Sequence, residues 1–227
     1  MPQTASSAST TRIRVWDLPT RLFHWLLVIL IALLVATGLG GRLDLHMLLG
    51  QAVLALVLFR VLWGFAGNRY ARFASFVAGP GAVLRYLAGL LRPDQKPGEV
   101  GHNPAGGWSV LLMLALVLVQ ATTGLFTSDD IVVDGPLYPL VSSSIAAQLS
   151  TIHRTAFILL LAVIGLHVAA SLFYLTVRKQ NLIGPMVTGR AEGRAEADAG
   201  NGGHPLLALA LLLLSGAVVF GGIAILS

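Results

Sequence analysis

The chain has 227 residues, of which 56% are hydrophobic and 11% are charged. Soluble domains carry roughly 25% charged residues, so this composition, with a mean hydropathy of +0.80, excludes an ordinary soluble protein. The absence of cysteine excludes disulfides, thiolate metal sites, iron–sulfur clusters and covalently attached c-type haem.

Five long apolar stretches predict five transmembrane helices. Each stretch reaches the roughly 20 residues that a helix needs to cross a bilayer. Only the second contains charged residues, Asp44 and Arg60. The first is not expected to be a signal peptide, because its apolar run exceeds the roughly 7–15 residues of a signal sequence. The stretches are residues 22–41, 43–67, 108–127, 155–177 and 205–227.

The segments outside these helices are predicted to be mostly irregular. Residues 1–11 form a disordered tail, and residues 92–107, rich in Pro and Gly, form an irregular loop. Residues 81–92 mix apolar and basic side chains and predict a short helix lying in the membrane interface. A flexible linker at 184–204 then separates the main transmembrane domain, residues 12–183, from the extra helix at 205–227.

The basic residues predict the orientation, because Lys and Arg concentrate in cytoplasmic loops. Twelve of them lie on the side that holds the N-terminus, and only Arg42 and Arg154 lie on the other, beside Asp129, Asp130 and Asp134. The N-terminus is therefore predicted to be cytoplasmic. The pI of about 10.2 reflects this topology and contact with anionic lipid, not nucleic-acid binding.

Four histidines fall within the predicted helices or at the start of one, at two depths. His24 and His167 lie near the cytoplasmic side, whereas His46 and His153, which opens the fourth helix, lie near the outer side. The fourteen residues from His153 to His167 are about 40° short of four turns and rise roughly 21 Å, so both face the same way. The spacing predicts an inner pair, His24–His167, and an outer pair, His46–His153.

Each pair of imidazoles suits a haem iron with two axial histidines, which leaves no position for oxygen. The absence of cysteine and of clustered carboxylates in the helices disfavours zinc and di-iron sites. Two other interpretations stay open. Single histidines could form hydrogen bonds between helices, or the protein could be a haem-free transporter whose histidines relay protons. His102 and His204 fall in loops and are expected to be solvated.

Three further residues are placed by the same helical spacing. Gly38 lies fourteen residues after His24, and Gly50 lies one turn after His46, where a small residue would let a porphyrin approach the backbone. Both glycines are equally compatible with simple helix packing. Arg60 lies fourteen residues after His46 and is expected to point inward, toward an inner haem propionate, or to snorkel to the surface.

Four motifs together carry a family resemblance. They are RVWDLPTRLFHW at 14–25, LHMLLGQAVLALVLFRVLWG at 45–64, GHNPAGGWSV at 101–110, and His153–Arg154 followed by His167. The sequence resembles the bacterial cytochrome b561 and nickel–iron hydrogenase b-type cytochrome family. The resemblance implies an all-α membrane protein in which a four-helix transmembrane bundle holds two b haems. The resemblance places the family's haem ligands on His24, His46, His153 and His167. It also places the helix-2 arginine of the family on Arg60 and draws attention to His102. The fifth, C-terminal transmembrane helix departs from the family's four-helix bundle.

The expected function is electron transfer between a periplasmic redox protein, such as a c-type cytochrome, and the quinone pool. A quinone site is expected on the cytoplasmic side, among Arg21, Trp25, Arg60, His102 and Trp108. One alternative is a superoxide:quinone oxidoreductase, which would need a basic outer surface, although only Arg42 and Arg154 face outward. The other is a hydrogenase cytochrome b subunit. A homodimer stays open.

Overall fold

The computed structural model describes residues 11–89, 101–128, 133–193, 197–199 and 204–227. Within these ranges, five helices are long and apolar enough to cross a membrane, which confirms the predicted helical membrane bundle. They are α1 (Leu18–Leu39), α2 (Leu43–Ala66), α5 (Pro104–Gly124), α6 (Ser143–Thr176) and a last span over Pro205–Leu226. This span consists of α8 (Pro205–Gly216), a π-helical turn (Ala217–Gly221) and α9 (Gly222–Leu226).

Short elements connect these helices. Two small helices, α3 (Phe73–Phe76) and α4 (Pro80–Gly89), follow α2, and a 3₁₀ turn at Tyr138–Leu140 precedes α6. After α6 come α7 (Ile183–Thr188) and strand β2 (Arg190–Gly193). Strand β2 pairs antiparallel with strand β1 (Thr11–Arg14), so that Thr11 lies opposite Gly193. We call the end of the bundle with this sheet the sheet end, and the opposite end, with the loop after α5, the loop end.

Capping side chains define where three of the membrane helices begin. The Asp17 carboxylate accepts a hydrogen bond from the backbone N–H of Thr20, and Asn103 Oδ1 accepts one from Gly106. Ser142 Oγ accepts one from the N–H of Ile145. Each cap satisfies one of the backbone donors that the first turn of a helix leaves free.

The core of the bundle is centred on α2, which packs against α1, α5 and α8. Val57 and Trp63 of α2 are fully buried, and Ala208 of α8 joins the same cluster. Helix α6 packs along α5 and contributes Leu160 to this cluster. Its two histidines face those of α1 and α2.

Several sequence predictions need correction. Helix α6 begins at Ser143, twelve residues before the predicted start, so His153 lies ten residues inside it instead of opening it. The linker predicted at 184–204 is ordered at its start, where residues 184–193 form most of α7 and all of β2. The loop predicted at 92–107 is helical from Pro104 onward.

Other predictions are confirmed or lie outside the described residues. Helix α4 confirms a short helix at 81–92 as far as Gly89. The predicted tail at 1–11 lies outside the described residues except for Thr11, which belongs to β1. The other predicted ends of membrane helices fall within four residues of those observed.

Candidate functional site

The structure brings four histidines together as two pairs, one toward each end of the bundle. The ring centroids of His24 and His167 are 6.5 Å apart at the sheet end. Those of His46 and His153 are 6.3 Å apart at the loop end. Both pairs draw one member from α6, so this helix runs past both sites and joins them.

At the loop end, backbone carbonyls fix both imidazole rings. His46 Nδ1 donates a hydrogen bond to the carbonyl oxygen of Leu34 at 2.9 Å, and His153 Nδ1 donates one to that of Gln120 at 2.9 Å. The side-chain amide of Gln120 donates to His153 Nε2 at 3.0 Å. His153 therefore carries its proton on Nδ1 and a lone pair on Nε2, the form in which a neutral imidazole binds a metal.

Two glycines give these rings their space. A Cβ added to Gly38 would lie 3.1 Å from His46 Cε1, and one added to Gly124 would lie 2.9 Å from His153 Cε1. Gly38 therefore accommodates an imidazole, not the porphyrin face for which the sequence placed it. Gly50 has nothing within 4 Å of an added Cβ and lines the open space beside His46.

A cavity of about 250 Å³ lies between the helices at the loop end. His46 and His153 both line it, and most of its wall is apolar. Gln51, Gln120 and Arg154 add polar groups to the wall. An apolar cavity with a few convergent polar groups is the usual form of a cofactor site.

At the sheet end, His24 lies beneath side chains that tie α1 to α7. Arg21 Nη1 donates to the carbonyl of Val187, and Trp25 Nε1 donates to that of Met186 at 3.2 Å. The Trp25 ring also meets the His24 ring edge-on, with the centroids 5.0 Å apart. His24 Nδ1 is buried and lacks a hydrogen-bond partner among the described residues.

Arg60 is almost completely buried at the sheet end, with 3% of its surface exposed. Its Nη2 donates to the carbonyl of Ala71 at 3.2 Å, and its guanidinium lies 5.2 Å from the centre of the Phe73 ring. Nη1 has no hydrogen-bond partner in the described part of the chain. Arg60 therefore points inward as predicted and offers one free donor, the feature that a carboxylate ligand would use.

A polar network around Asp17 secures this end of α2. The Asp17 carboxylate accepts hydrogen bonds from Trp63 Nε1 at 3.1 Å and from the N–H of Asn68 at 3.3 Å, besides capping α1. Asn68 Nδ2 in turn donates to the carbonyl of Val15 at 3.1 Å. These bonds cross from the segment before α1 to the segment after α2, so one buried carboxylate joins both helices.

His102 lies against aromatic rings instead of in solvent, which corrects the sequence prediction. Its ring centroid is 4.7 Å from that of Trp16 and 4.6 Å from that of Phe76. Burial, together with the charges of Arg60 and His167, lowers the pKa of His102 to about 3. Nδ1 of this neutral ring is buried without a described hydrogen-bond partner. His204, by contrast, is exposed at the start of α8.

The two pairs fit an iron porphyrin. A metal–imidazole bond is about 2 Å long, and the ring centre lies roughly 1 Å beyond the nitrogen, so an iron between two rings separates their centres by about 6 Å. Both observed separations match this value. In the described residues, no cluster of three or more His, Cys, Asp and Glu side chains forms. Two imidazoles are the number that complete a porphyrin iron, which already has four nitrogens.

Sequence reasoning missed Gly124, Gln120 and Asp17. Two of these carried a usable signal. Thr123 and Gly124 repeat the Thr37–Gly38 dipeptide near the end of an earlier helix, and Asp17 before Leu18–Pro19 is a helix-start pattern. The Gln120 contact depends on the rotation of α5 relative to α6, which no local pattern in the sequence specifies.

The comparisons with known proteins agree on one family. The model of the prokaryotic cytochrome b561 family matches residues 15–189. A probable Ni/Fe-hydrogenase 1 B-type cytochrome subunit of Escherichia coli (strain K12) is 30% identical over 118 residues, which cover 40% of this chain and 49% of that protein. The chain thus spans about half the length of this relative. A probable Ni/Fe-hydrogenase B-type cytochrome subunit of Rhizobium leguminosarum bv. viciae is 24% identical over 209 residues, 77% of this chain and 87% of the relative. No solved structure matches the chain.

Proposed function

The chain belongs to the prokaryotic cytochrome b561 family, and from that membership we propose that it transfers electrons between a periplasmic redox protein and quinone through two b haems. The family makes it a multi-pass b-type membrane cytochrome. The proposal adds the number of haems, their ligands and the two electron-transfer partners. The observation that carries it is the pair of facing imidazoles toward each end of one bundle.

The proposed ligands are His24 with His167 for one haem and His46 with His153 for the other. Bound haem supplies reversible one-electron chemistry of its iron. The two histidines of each pair would hold the haem iron and would leave no open position for oxygen. The apolar wall of the loop-end cavity excludes water, and Arg60 offers its free Nη1 to a propionate at the sheet end.

The orientation follows from the distribution of basic residues. The sheet end carries the predicted cytoplasmic segments, and the loop end carries Arg42 and Asp134. With the N-terminus in the cytoplasm of a bacterial inner membrane, the loop-end pair would lie near the periplasm. A periplasmic electron-transfer protein would therefore exchange electrons with that pair.

A quinone site is proposed at the sheet end. Of the five residues placed there, Arg21, Trp25 and Trp108 already donate to backbone carbonyls. Arg60 Nη1 and His102 Nδ1 keep buried nitrogens without a partner among the described residues. These two nitrogens are the ones that a quinone oxygen or a propionate would satisfy.

The test is the optical spectrum of the purified protein together with its haem content. A reduced-minus-oxidised spectrum of the b type and two haems per chain are expected. The His153→Ala and His46→Ala variants should each lose the loop-end haem, and His24→Ala and His167→Ala the sheet-end haem. The matched control is His204→Ala, which removes an exposed histidine outside both pairs.

Three outcomes would count against the proposal. A colourless protein after expression with ample haem would show that the protein does not bind haem. Retention of both haems in all four histidine variants would show that the ligands lie elsewhere. Loss of haem in His204→Ala would show that the substitutions act through folding and not through ligation.

A second candidate, a hydrogenase cytochrome b subunit, is favoured by the names of the relatives. The two candidates differ in the protein that meets the loop end. Salt-dependent reduction by a basic c-type cytochrome would favour the first, because the predicted outer loop is acidic. Reduction by hydrogen, only when a hydrogenase is purified together with the chain, would favour the second.

A further inference from the structure

Resting on the two-haem function proposed above, we infer that Thr20 of α1 and Arg60 of α2 together bind one propionate carboxylate of the sheet-end haem. The two donors are the hydroxyl of Thr20 and Nη1 of Arg60. For this carboxylate the sequence pointed to Arg60 alone. With Thr20, the propionate is held between two helices and not by α2 only.

The hydroxyl of Thr20 is a buried donor without an acceptor. Thr20 is buried, and its Oγ1 has no hydrogen-bond partner among the residues that the structure describes. Other buried hydroxyls of the membrane helices donate to a carbonyl one turn earlier, Thr37 to Leu33 at 2.7 Å and Ser215 to Leu211 at 2.8 Å. Because an unsatisfied buried donor costs free energy, the hydroxyl of Thr20 points to an acceptor on a bound group.

The position of Thr20 in the first turn of α1 explains why the helix offers its hydroxyl no acceptor. Asp17 is the N-cap, so the residue four positions before Thr20, Trp16, lies outside the helix. The carbonyl of Asp17, three positions before Thr20, accepts the N–H of Arg21. The Asp17 carboxylate accepts the N–H of Thr20 and not its hydroxyl. The hydroxyl is therefore left to an acceptor that is not part of α1.

Arg60 supplies the positive charge that a carboxylate needs. Its guanidinium is almost completely buried, and Nη1 has no hydrogen-bond partner in the described part of the chain. A buried charge is costly unless it is paired. Asp17 lies within electrostatic range of Arg60, but its two oxygens already accept hydrogen bonds from Thr20, Trp63 and Asn68. A second carboxylate would therefore complete the pairing of Arg60.

Thr20 lies close to the proposed ligand His24. It precedes His24 by four residues, so both side chains are on the same face of α1 and about 6 Å apart along the axis. Asp17 connects this turn to Arg60, because it accepts the N–H of Thr20 and lies within electrostatic range of the guanidinium. The two propionates are the anionic groups of haem b, and a hydroxyl beside a guanidinium is a donor set for a carboxylate.

The charges around this turn also favour a bound carboxylate. Arg21 adds a second guanidinium, whose Nη1 donates to the carbonyl of Val187 and whose Nε is buried without a described partner. The carboxylate of Asp17 balances one of the two positive charges of Arg21 and Arg60. A propionate would balance the other, and a neutral arrangement costs less free energy inside a membrane bundle. His102 Nδ1 then stays as the buried nitrogen for the proposed quinone site.

The experiment measures how fast haem leaves the purified full-length protein for an excess of apomyoglobin. Thr20→Val removes the hydroxyl and keeps the shape of the side chain. We expect the sheet-end haem, identified as the one that His167→Ala lacks, to leave about tenfold faster, the value of one hydrogen bond to a charged group. The loop-end haem should leave at the wild-type rate, and Thr20→Ser should restore the rate at the sheet end. The matched control is Thr37→Val on the same helix, because the hydroxyl of Thr37 already donates to Leu33.

Haem dimethyl ester separates a contact with the carboxylate from an effect on folding, because its propionates carry no charge. In the wild-type protein, the ester should leave the sheet-end site faster than haem does. The difference between wild type and Thr20→Val should largely disappear with the ester, since an ester is a weaker acceptor than a carboxylate and no longer pairs with Arg60. A difference that persists with the ester, or equal release of ester and haem from the wild-type site, would overturn the inference.

A double substitution tests whether Thr20 and Arg60 bind the same carboxylate. In the Arg60→Gln protein, Thr20→Val should accelerate haem release by a smaller factor than it does in the wild type, because two groups that share a partner are not additive. Equal factors in both proteins, an unchanged rate in Thr20→Val, or the same acceleration in Thr37→Val would overturn the inference and leave the two-haem function intact. A wild-type protein without haem would instead overturn the proposed function.

Discussion

The two ends of the bundle hold their histidines by different means. At the loop end, backbone carbonyls of α1 and α5 and two glycines position His46 and His153, and the surroundings are an apolar cavity. At the sheet end, the helix that carries His24 is held by hydrogen bonds to distant parts of the chain, from Arg21 to α7 and from Trp63 and Asn68 to Asp17. The loop end therefore depends on close packing, and the sheet end depends on long-range hydrogen bonds.

This difference predicts which substitutions affect which site. A change in volume at a helix contact should disturb the loop-end pair, because its rings touch neighbouring backbones. Removal of a buried hydrogen-bonding group should disturb the sheet-end pair, because it leaves several donors without partners. The following predictions test this division, beginning with the largest expected effect.

Asp17→Ala should have the largest effect. It leaves the backbone N–H groups of Thr20 and Asn68 and the Trp63 indole without their acceptor, which we expect to cost about 3 kcal/mol of stability. The sheet-end haem should be lost while the loop-end haem is retained, as measured by haem content and by thermal unfolding followed in the haem spectrum. Asp44→Ala, which removes an exposed carboxylate at the loop end, is the control. Loss of both haems to the same extent in Asp17→Ala would contradict the division.

Arg60→Gln should change the reduction potential of the sheet-end haem and leave that of the loop-end haem unchanged. Removing a buried unit charge alters the balance between oxidised and reduced iron by on the order of 1 kcal/mol. The sheet-end potential should therefore fall by about tenfold in equilibrium constant, and the loop-end potential should stay constant. A redox titration measures both. An equal shift of both components would mean that Arg60 acts through the whole fold.

His102→Phe should change the pH dependence of stability. The pKa of His102 is about 3 in the folded protein, below its ordinary value near 6.5. Between about pH 3 and 6.5, the imidazole of His102 therefore binds a proton in the unfolded chain but not in the folded protein. For this reason the free energy of unfolding falls as the pH is lowered below about 6.5. The slope from this residue is at most about 1.4 kcal/mol per pH unit, and it should disappear in the phenylalanine variant. Unfolding measured from pH 4 to 7 tests this, and identical slopes in both proteins would contradict it.

Deletion of residues 205–227 should have the smallest effect on the two sites. The last helix contacts α2 through Ala208 and neighbouring residues, and the proposed ligands all lie on α1, α2 and α6. Both haems should remain, with a lower thermal unfolding temperature because α2 loses a packing partner. Haem content after membrane extraction measures the first part of this prediction. Loss of the sheet-end haem alone would give the last helix a role in that site.

The sequence predicted those parts of the molecule that depend on local periodicity. Apolar runs located the five spans, and fourteen-residue spacing placed His153 and His167 on one face of α6. Hydropathy measures the part of a helix that lies in lipid and not the whole helix. For that reason the polar first turns of α6, from Ser143 onward, were missed.

Contacts between distant segments could not be predicted in this way. The strand Arg190–Gly193 is short and contains a charged pattern that resembles a linker, and it becomes a strand only because β1 supplies its partner. His102 stands between Gly101 and Asn103 in the sequence, yet it packs against Trp16 and Phe76. Such placements depend on how helices are assembled, which a single sequence does not specify. The roles of the four histidines as haem ligands stay a prediction.

The pairing of β1 with β2 has a consequence for how the protein is made. Strand β1 leaves the ribosome before the membrane helices, whereas β2 follows only after four membrane helices have been inserted. The nascent chain can therefore bring His46 close to the α1 backbone early, as one helical hairpin. The β1–β2 pairing and the hydrogen bond from Arg21 to Val187, which tie the beginning of α1 to α7, form late. We therefore expect the loop-end site to bind its cofactor before the sheet-end site does.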